Sequence, residues 1–268
     1  MDKLKILIVT NEIDPFLKIT SAADVISMLP QGLQKKGHEI RIFMPKFGVI
    51  NERRNRLHEV IKLSGINIKV GSEEKPLTIK VASIPNARLQ VYFLDNEDYF
   101  KRKCIFKNEQ DEYFNDNDER AIFFCKGILE TIKKLNWSPH IIHCHDWMAS
   151  LIPFYIKTHY KDDPIFKESK IVYTIYNTDA GNIKLSENFA EKAKLEGVPK
   201  ELLEQIQKPY FSDLHQRCLA MADAVIMGDP AVQYTNSNAR VLGEPAYFDA
   251  EMPDFIDSHI ELYRKILN

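Results

Sequence analysis

Seven short apolar runs rich in β-branched residues recur along the chain, and between them the apolar spacing switches to that of helices. The runs are Leu4–Thr10, His38–Met44, Thr78–Ala82, Leu89–Leu94, His140–Cys144, Ile171–Ile175 and Ala224–Met227. A strand that is apolar on both faces has to be covered on both, as in a parallel sheet between two layers of helices. The alternation therefore predicts an α/β fold, a Rossmann-like doubly wound, mostly parallel sheet with helices on both faces. The first unit carries the clearest signals. Leu4–Thr10 leads through a loop into a helix over Ala22–Lys36, Gly37 follows as a natural C′ residue, and Lys35 and Lys36 complement the helix dipole. The short separation of Thr78–Ala82 from Leu89–Leu94 predicts a hairpin-like excursion at one sheet edge. Asp118–Asn136 is the longest helical pattern, broken by Trp137-Ser138-Pro139-His140. Beyond Gly181 the pattern is mainly helical, with a C-terminal helix expected within Asp254–Leu267. No repeat or Pro/Gly-rich linker interrupts the chain, so residues 1–268 read as a single domain.

Composition excludes several partners. Hydrophobic residues make up 44% and charged residues 28%, ordinary for a globular protein, and the net charge of −2 gives no electrostatic reason for binding nucleic acid or an anionic membrane. The start of the chain has no signal-peptide h-region and no apolar span is long enough to cross a membrane, so a cytoplasmic protein is expected. Cys104, Cys125, Cys144 and Cys218 lie far apart and predict buried free thiols rather than a disulfide framework or a zinc knuckle.

Two segments carry chemistry. Lys18-Ile19-Thr20-Ser21-Ala22-Ala23-Asp24-Val25 follows the first strand and opens the first helix, where a nucleotide-binding turn needs residues without Cβ so that backbone N–H groups can reach a phosphate. Thr20 and Ser21 stand in those places. His143-Cys144-His145-Asp146-Trp147 ends a predicted strand on the side where open α/β sheets bind ligands. Alternation puts His143 and His145 on one face, a spacing compatible with metal ligation and with a small metal-dependent hydrolase. The same residues also allow a purely structural reading, with His145 and Asp146 capping the helix that follows.

The frame of Asn11–Pro30 resembles the opening of bacterial glycogen synthases and plant starch synthases, where Lys-x-Gly-Gly-Leu precedes Ala-Asp-Val; here the frame is kept and the glycines are lost. His-x-His-Asp-Trp at 143–147 resembles the segment of that family lining the sugar side of the active cleft, with Met148 in place of a further histidine. Ile171–Asn177 is similar to the family's Phe-Thr-Ile-His-Asn, with Tyr176 replacing the histidine that touches the transferring sugar. Leu214–Tyr234 resembles the stretch in which a helix leads through Ala-Asp into a strand. The resemblance implies the N-terminal half of a GT-B glycosyltransferase and a sugar or α-glucan surface made by Lys18, His145, Asp146, Trp147, Tyr176 and Asn177. It assigns no catalytic residue, no metal and no cofactor. With Val241–Asn268 too short to bury a second core, it further implies an acceptor-side domain inactive alone, with a glucan-binding or regulatory role and a protein partner or self-association. The alternative is an active glucosyltransferase completed by a donor-binding partner chain.

Overall fold

The computed structural model describes residues 3–176, 179–228 and 254–268. Nine strands form one sheet: β1 (Lys5–Val9), β2 (Glu39–Pro45), β3 (His58–Glu59), β4 (Ile66–Val70), β5 (Glu73–Ser83), β6 (Gln90–Asp95), β7 (Ile141–His145), β8 (Lys170–Ile175) and β9 (Ala224–Met227). The order is β3-β5-β6-β2-β1-β7-β8-β9, with β4 paired to β5. From β6 through β2, β1, β7 and β8 to β9 every pairing is parallel. β5 runs antiparallel to β6, so the expected excursion is present at that edge, and it extends outward to β3 and β4. The sheet is thus Rossmann-like and mostly parallel, as the run pattern predicts. β3 and β4 are additions to it.

Burial explains why these runs become strands. Ile6, Leu7, Ile8 and Val9 of β1 are all fully buried, as are Ile141 and Ile142 of β7 and Ile171, Val172 and Tyr173 of β8. The helix Ala22–Lys35 turns Ile26, Leu29 and Leu33 to the sheet, and Gly37 ends it at φ +93°. On that side the C-terminal helix Phe255–Leu267 packs against it closely: a Cβ on Gly32 would stand 2.3 Å from Ile256 Cδ1. The longest helix, Asn117–Lys134, buries Ala121 to Cys125 and crosses to β4. It also buries Lys126, whose ammonium donates to the carbonyls of Lys69, Lys192 and Lys194 at 2.8, 3.2 and 2.9 Å and so ties three segments together. Asp223 accepts from Ile171 N at 2.8 Å and pairs with Lys157, which fixes the connection into β9. Among the described residues no helix is long and apolar enough to cross a membrane.

Candidate functional site

β1 is the strand from which the chain departs in one direction to β2 and in the other to β7, so the C-terminal ends of β1 and β7 flank the switch point of the sheet. A cleft of about 560 Å³ opens there. Its floor is Asn11 after β1 and Asp146 after β7, joined by a hydrogen bond from Asn11 Nδ2 to Asp146 Oδ2 of 3.0 Å. Asn11 Oδ1 is buried and has no partner among the described residues. One wall is the first βα turn through Ile19 and Thr20; the other is Lys103 to Lys107 with Tyr113, from the excursion between β6 and the longest helix. Lys107 reaches Asp179 at 2.8 Å and lies 4.8 Å from the Tyr113 ring centroid, so the rim is closed by an ion pair. Gly48 permits the excursion to come this near, because a Cβ there would lie 2.2 Å from Arg102 O.

Asp146 has the most constrained backbone in the site. Its φ of 60° and ψ of 176° lie in a region that L residues avoid and glycine accepts. The surroundings hold it: Asp146 N–H donates to Thr174 O at 3.3 Å, and the Tyr173 hydroxyl donates to Asp146 O. Burial pushes its carboxyl up to about 6, and the nearby charge of Glu12 acts in the same direction. At neutral pH the group is mainly ionised and accepts hydrogen bonds. If the strain is intrinsic to φ and ψ, Asp146→Gly should be about 1–3 kcal/mol more stable than Asp146→Ala, since both lose the carboxylate and only alanine keeps the penalty. Urea denaturation of the two variants measures this difference, and equal midpoints would mean that the backbone relaxes.

Of the six residues that the resemblance points to, Asp146 and Trp147 line the cleft together. Trp147 is a buried wedge more than an open platform, 4% exposed, with Phe106 and Phe211 edge-on at 4.9 and 5.0 Å. His145 and Tyr176 form an adjoining pair outside the cleft wall, His145 Nδ1 to Tyr176 hydroxyl 3.1 Å. Lys18 stands apart, half exposed and paired with Asp24 at 2.5 Å. Asn177 lies outside the described residues. Neither His145 nor Asp146 caps the next turn through its side chain, so the capping expectation is corrected: Asp146 turns to Asn11 instead. The ring nitrogens of His143 are both taken by hydroxyls, Tyr263 at Nδ1 and Thr174 at Nε2, each at 2.7 Å. Burial and the neighbouring histidines hold its pKa well below the usual value, and among the described residues no group of three potential ligands could hold a metal. His143 is thus an interior polar group bonded to the C-terminal helix through Tyr263, with no ring nitrogen open to a metal, and His145 is turned to Tyr176. Sequence reasoning missed Asn11, Tyr113, Lys107 and Asp179. Only Asn11 had a signal, its place at the end of the first strand beside the switch point.

Comparison with known proteins places this geometry. Residues 5–234 match the family described as starch synthase catalytic domain. Glycogen synthase of Chlorobium luteolum is 47% identical over 177 residues, 65% of this chain and 36% of that protein. Glycogen synthase of Chlorobaculum tepidum is 44% identical over 174 residues, with the same two shares. The chain therefore spans about a third of the length of the curated relatives it matches. Among solved structures, the catalytic domain of starch synthase IV from Arabidopsis thaliana, bound to ADP and acarbose, superposes with a TM-score of 0.69 at 18% identity, covering 84% of this chain and 45% of that one. The parallel sheet and the matched span agree, and the chain belongs to the glycogen/starch synthase family, with the Rossmann-like sheet of a GT-B glycosyltransferase.

Proposed function

We propose that the chain is an acceptor-side domain, one unit over residues 1–268, whose switch-point cleft holds an α-glucan end, and that these 268 residues alone do not transfer glucose. The observation that carries the reading is the floor of the cleft. Asn11 Oδ1 is a buried acceptor left open beside an ionised carboxylate, and Trp147 and Phe106 supply apolar surface next to them. Acceptors beside aromatic carbon suit a sugar ring, which offers hydroxyl donors at its rim and C–H groups on its faces. The starch synthase neighbour was solved bound to ADP and acarbose, and acarbose as a ligand of that protein is consistent with this class. In nucleotide-sugar transfer the leaving diphosphate must be stabilised electrostatically. Lys107, a cation in the cleft wall, is already matched by Asp179 and Asp111.

The test is a titration with maltoheptaose followed by tryptophan fluorescence. Trp147 reports, and Trp137, at the opposite, N-terminal end of the central strands with its indole N–H on Glu39 Oε1 at 2.7 Å, does not. Binding is expected in the millimolar range, about 4 kcal/mol, and Asn11→Ala should weaken it about tenfold by removing the open acceptor. An unchanged spectrum at saturating glucan, or glucosyl transfer from ADP-glucose by the chain alone, would overturn the proposal.

A further inference from the structure

One helix braces the cleft at two points. Phe211, the first residue of the helix Phe211–Leu219, stands edge-on to Trp147 at 5.0 Å, and His215, four residues on and therefore on the same face, begins a chain of polar groups that runs to Asp146. His215 Nδ1 meets Ser150 Oγ at 2.5 Å, Ser150 Oγ lies 3.4 Å from the Tyr173 hydroxyl, and that hydroxyl donates to the Asp146 carbonyl. The Tyr173 and His215 rings also meet edge-on at 5.2 Å. A carbonyl only accepts, so the end of the chain fixes its direction. With its one proton committed to Asp146 O, Tyr173 accepts from Ser150, and Ser150, having given its own proton, accepts from His215 Nδ1–H. Ser150 and Tyr173 are fully buried. Ser150 also stands at the N-cap of the helix Leu151–Lys157, where a serine hydroxyl ordinarily caps, yet it makes no such bond. Its hydroxyl is committed to the chain instead.

We propose that Tyr173, Ser150 and His215 are positioning residues that act through Asp146, holding its carbonyl and so aiming its carboxylate at the cleft, from the same helix face that sets the Trp147 indole. Asp146 N–H is fixed on Thr174 O, and the Tyr173 hydroxyl supplies the second constraint on a residue held at φ 60° and ψ 176°. Without that hydroxyl the Asp146–Trp147 peptide is free to turn toward the left-handed helical region at the same φ, which L residues accept more readily. The carboxylate then leaves Asn11. The proposal rests on the reading of the cleft as a saccharide site.

Side-chain amide NMR of Asn11 at pH 7 and a maltoheptaose titration test it together. In the parent one Asn11 Nδ2 proton should lie downfield, bonded to the Asp146 carboxylate. Tyr173→Phe keeps the ring and removes the donor; it should return that proton to the ordinary amide position and weaken maltoheptaose binding about fivefold. Ser150→Ala and His215→Phe should move both readouts the same way by less. Tyr155→Phe is the control, because it too removes a buried tyrosine donor, from Ala193 O at 2.8 Å, outside the cleft. It should lower stability and leave the Asn11 signal and the affinity alone. Nitrogen-15 shifts of His215 should show the proton on Nδ1. An unmoved Asn11 signal in Tyr173→Phe, an equal movement in Tyr155→Phe, unchanged affinity for a saccharide that the parent binds, or a His215 proton on Nε2 alone overturns the proposal. If the parent ignores maltoheptaose while the Asn11 signals behave as expected, the saccharide reading fails and the positioning of Asp146 stands.

Discussion

Trp147→Ala should cost about 3–5 kcal/mol of stability, the range for removing a fully packed tryptophan. The indole is 4% exposed and wedged between Phe106 and Phe211, and Phe106 meets Phe47 edge-on at 5.4 Å in its turn. Each edge-on pair adds roughly 0.5–1.5 kcal/mol to what burial alone contributes. The loss is more than local. Phe106 belongs to the excursion that forms one wall of the cleft, and Phe211 opens the helix Phe211–Leu219 behind it, so the indole is the piece that sets the width of the cleft. Urea denaturation should show a lowered midpoint with an unchanged slope. A cost under about 1 kcal/mol would mean that the pocket collapses around the gap, contrary to the packing described. Loss of saccharide binding in this variant would also follow from the altered wall, which makes Asn11→Ala the cleaner probe of the contact.

The same wedge shows how far the sequence could be read. Six parallel strands are legible as apolar runs because both faces of each are covered, and β9 coincides with its run, Ala224–Met227. β3 is not, since His58 and Glu59 are both exposed and pair only with an edge strand. β5 begins at Glu73 rather than Thr78 because its first residues hang beyond the core and are charged. At the site, His-x-His-Asp-Trp could be placed at a strand end, but strand alternation does not say which face carries the ligand. His143 bonds to the C-terminal helix and His145 to Tyr176, and the strained turn at Asp146 delivers the carboxylate to the cleft. Residues 101–116 have no apolar period, so nothing in their order announces that Lys107 reaches across to Asp179 or that Tyr113 lines the cleft. Glu12 meets Ile19 and Thr20 through a turn that brings them back to it, a contact local in sequence and invisible to periodicity.

Acidification from pH 7 to pH 4 should unfold the protein, because His143, His145, His215 and His259 are held in the neutral form by their surroundings. Burial holds His145 down to about 3 and His215 and His259 to about 4, and His143 lies well below its ordinary value. His143, His145 and His215 bond to the hydroxyls of Tyr263 and Thr174, Tyr176, and Ser150, and His259 Nδ1 bonds to the Phe255 carbonyl. The hydroxyls serve the neutral rings, and the Phe255 carbonyl, which favours the imidazolium of His259, is outweighed there by burial. In the unfolded chain these groups take up protons near pH 6.5, while the native state stays neutral until about pH 4, so the unfolded state binds more protons across that window. Stability is therefore complete above about 6.5 and falls as the pH drops through the window, by roughly 1.4 kcal/mol per unit for each group. Four groups together approach on the order of 10 kcal/mol, comparable with the whole stability of a domain. Asp146 works in the opposite sense, since its raised pKa makes the native state bind a proton first between about 6 and 4, but it is one group against four. The first element to loosen should be the helix Phe255–Leu267, which brings His259 and Tyr263 to β7. Hydrogen exchange at a series of pH values tests the order. The prediction fails if the amides of that helix stay as protected at pH 4.5 as those of β1, or if the melting temperature is flat between pH 7 and 4.5.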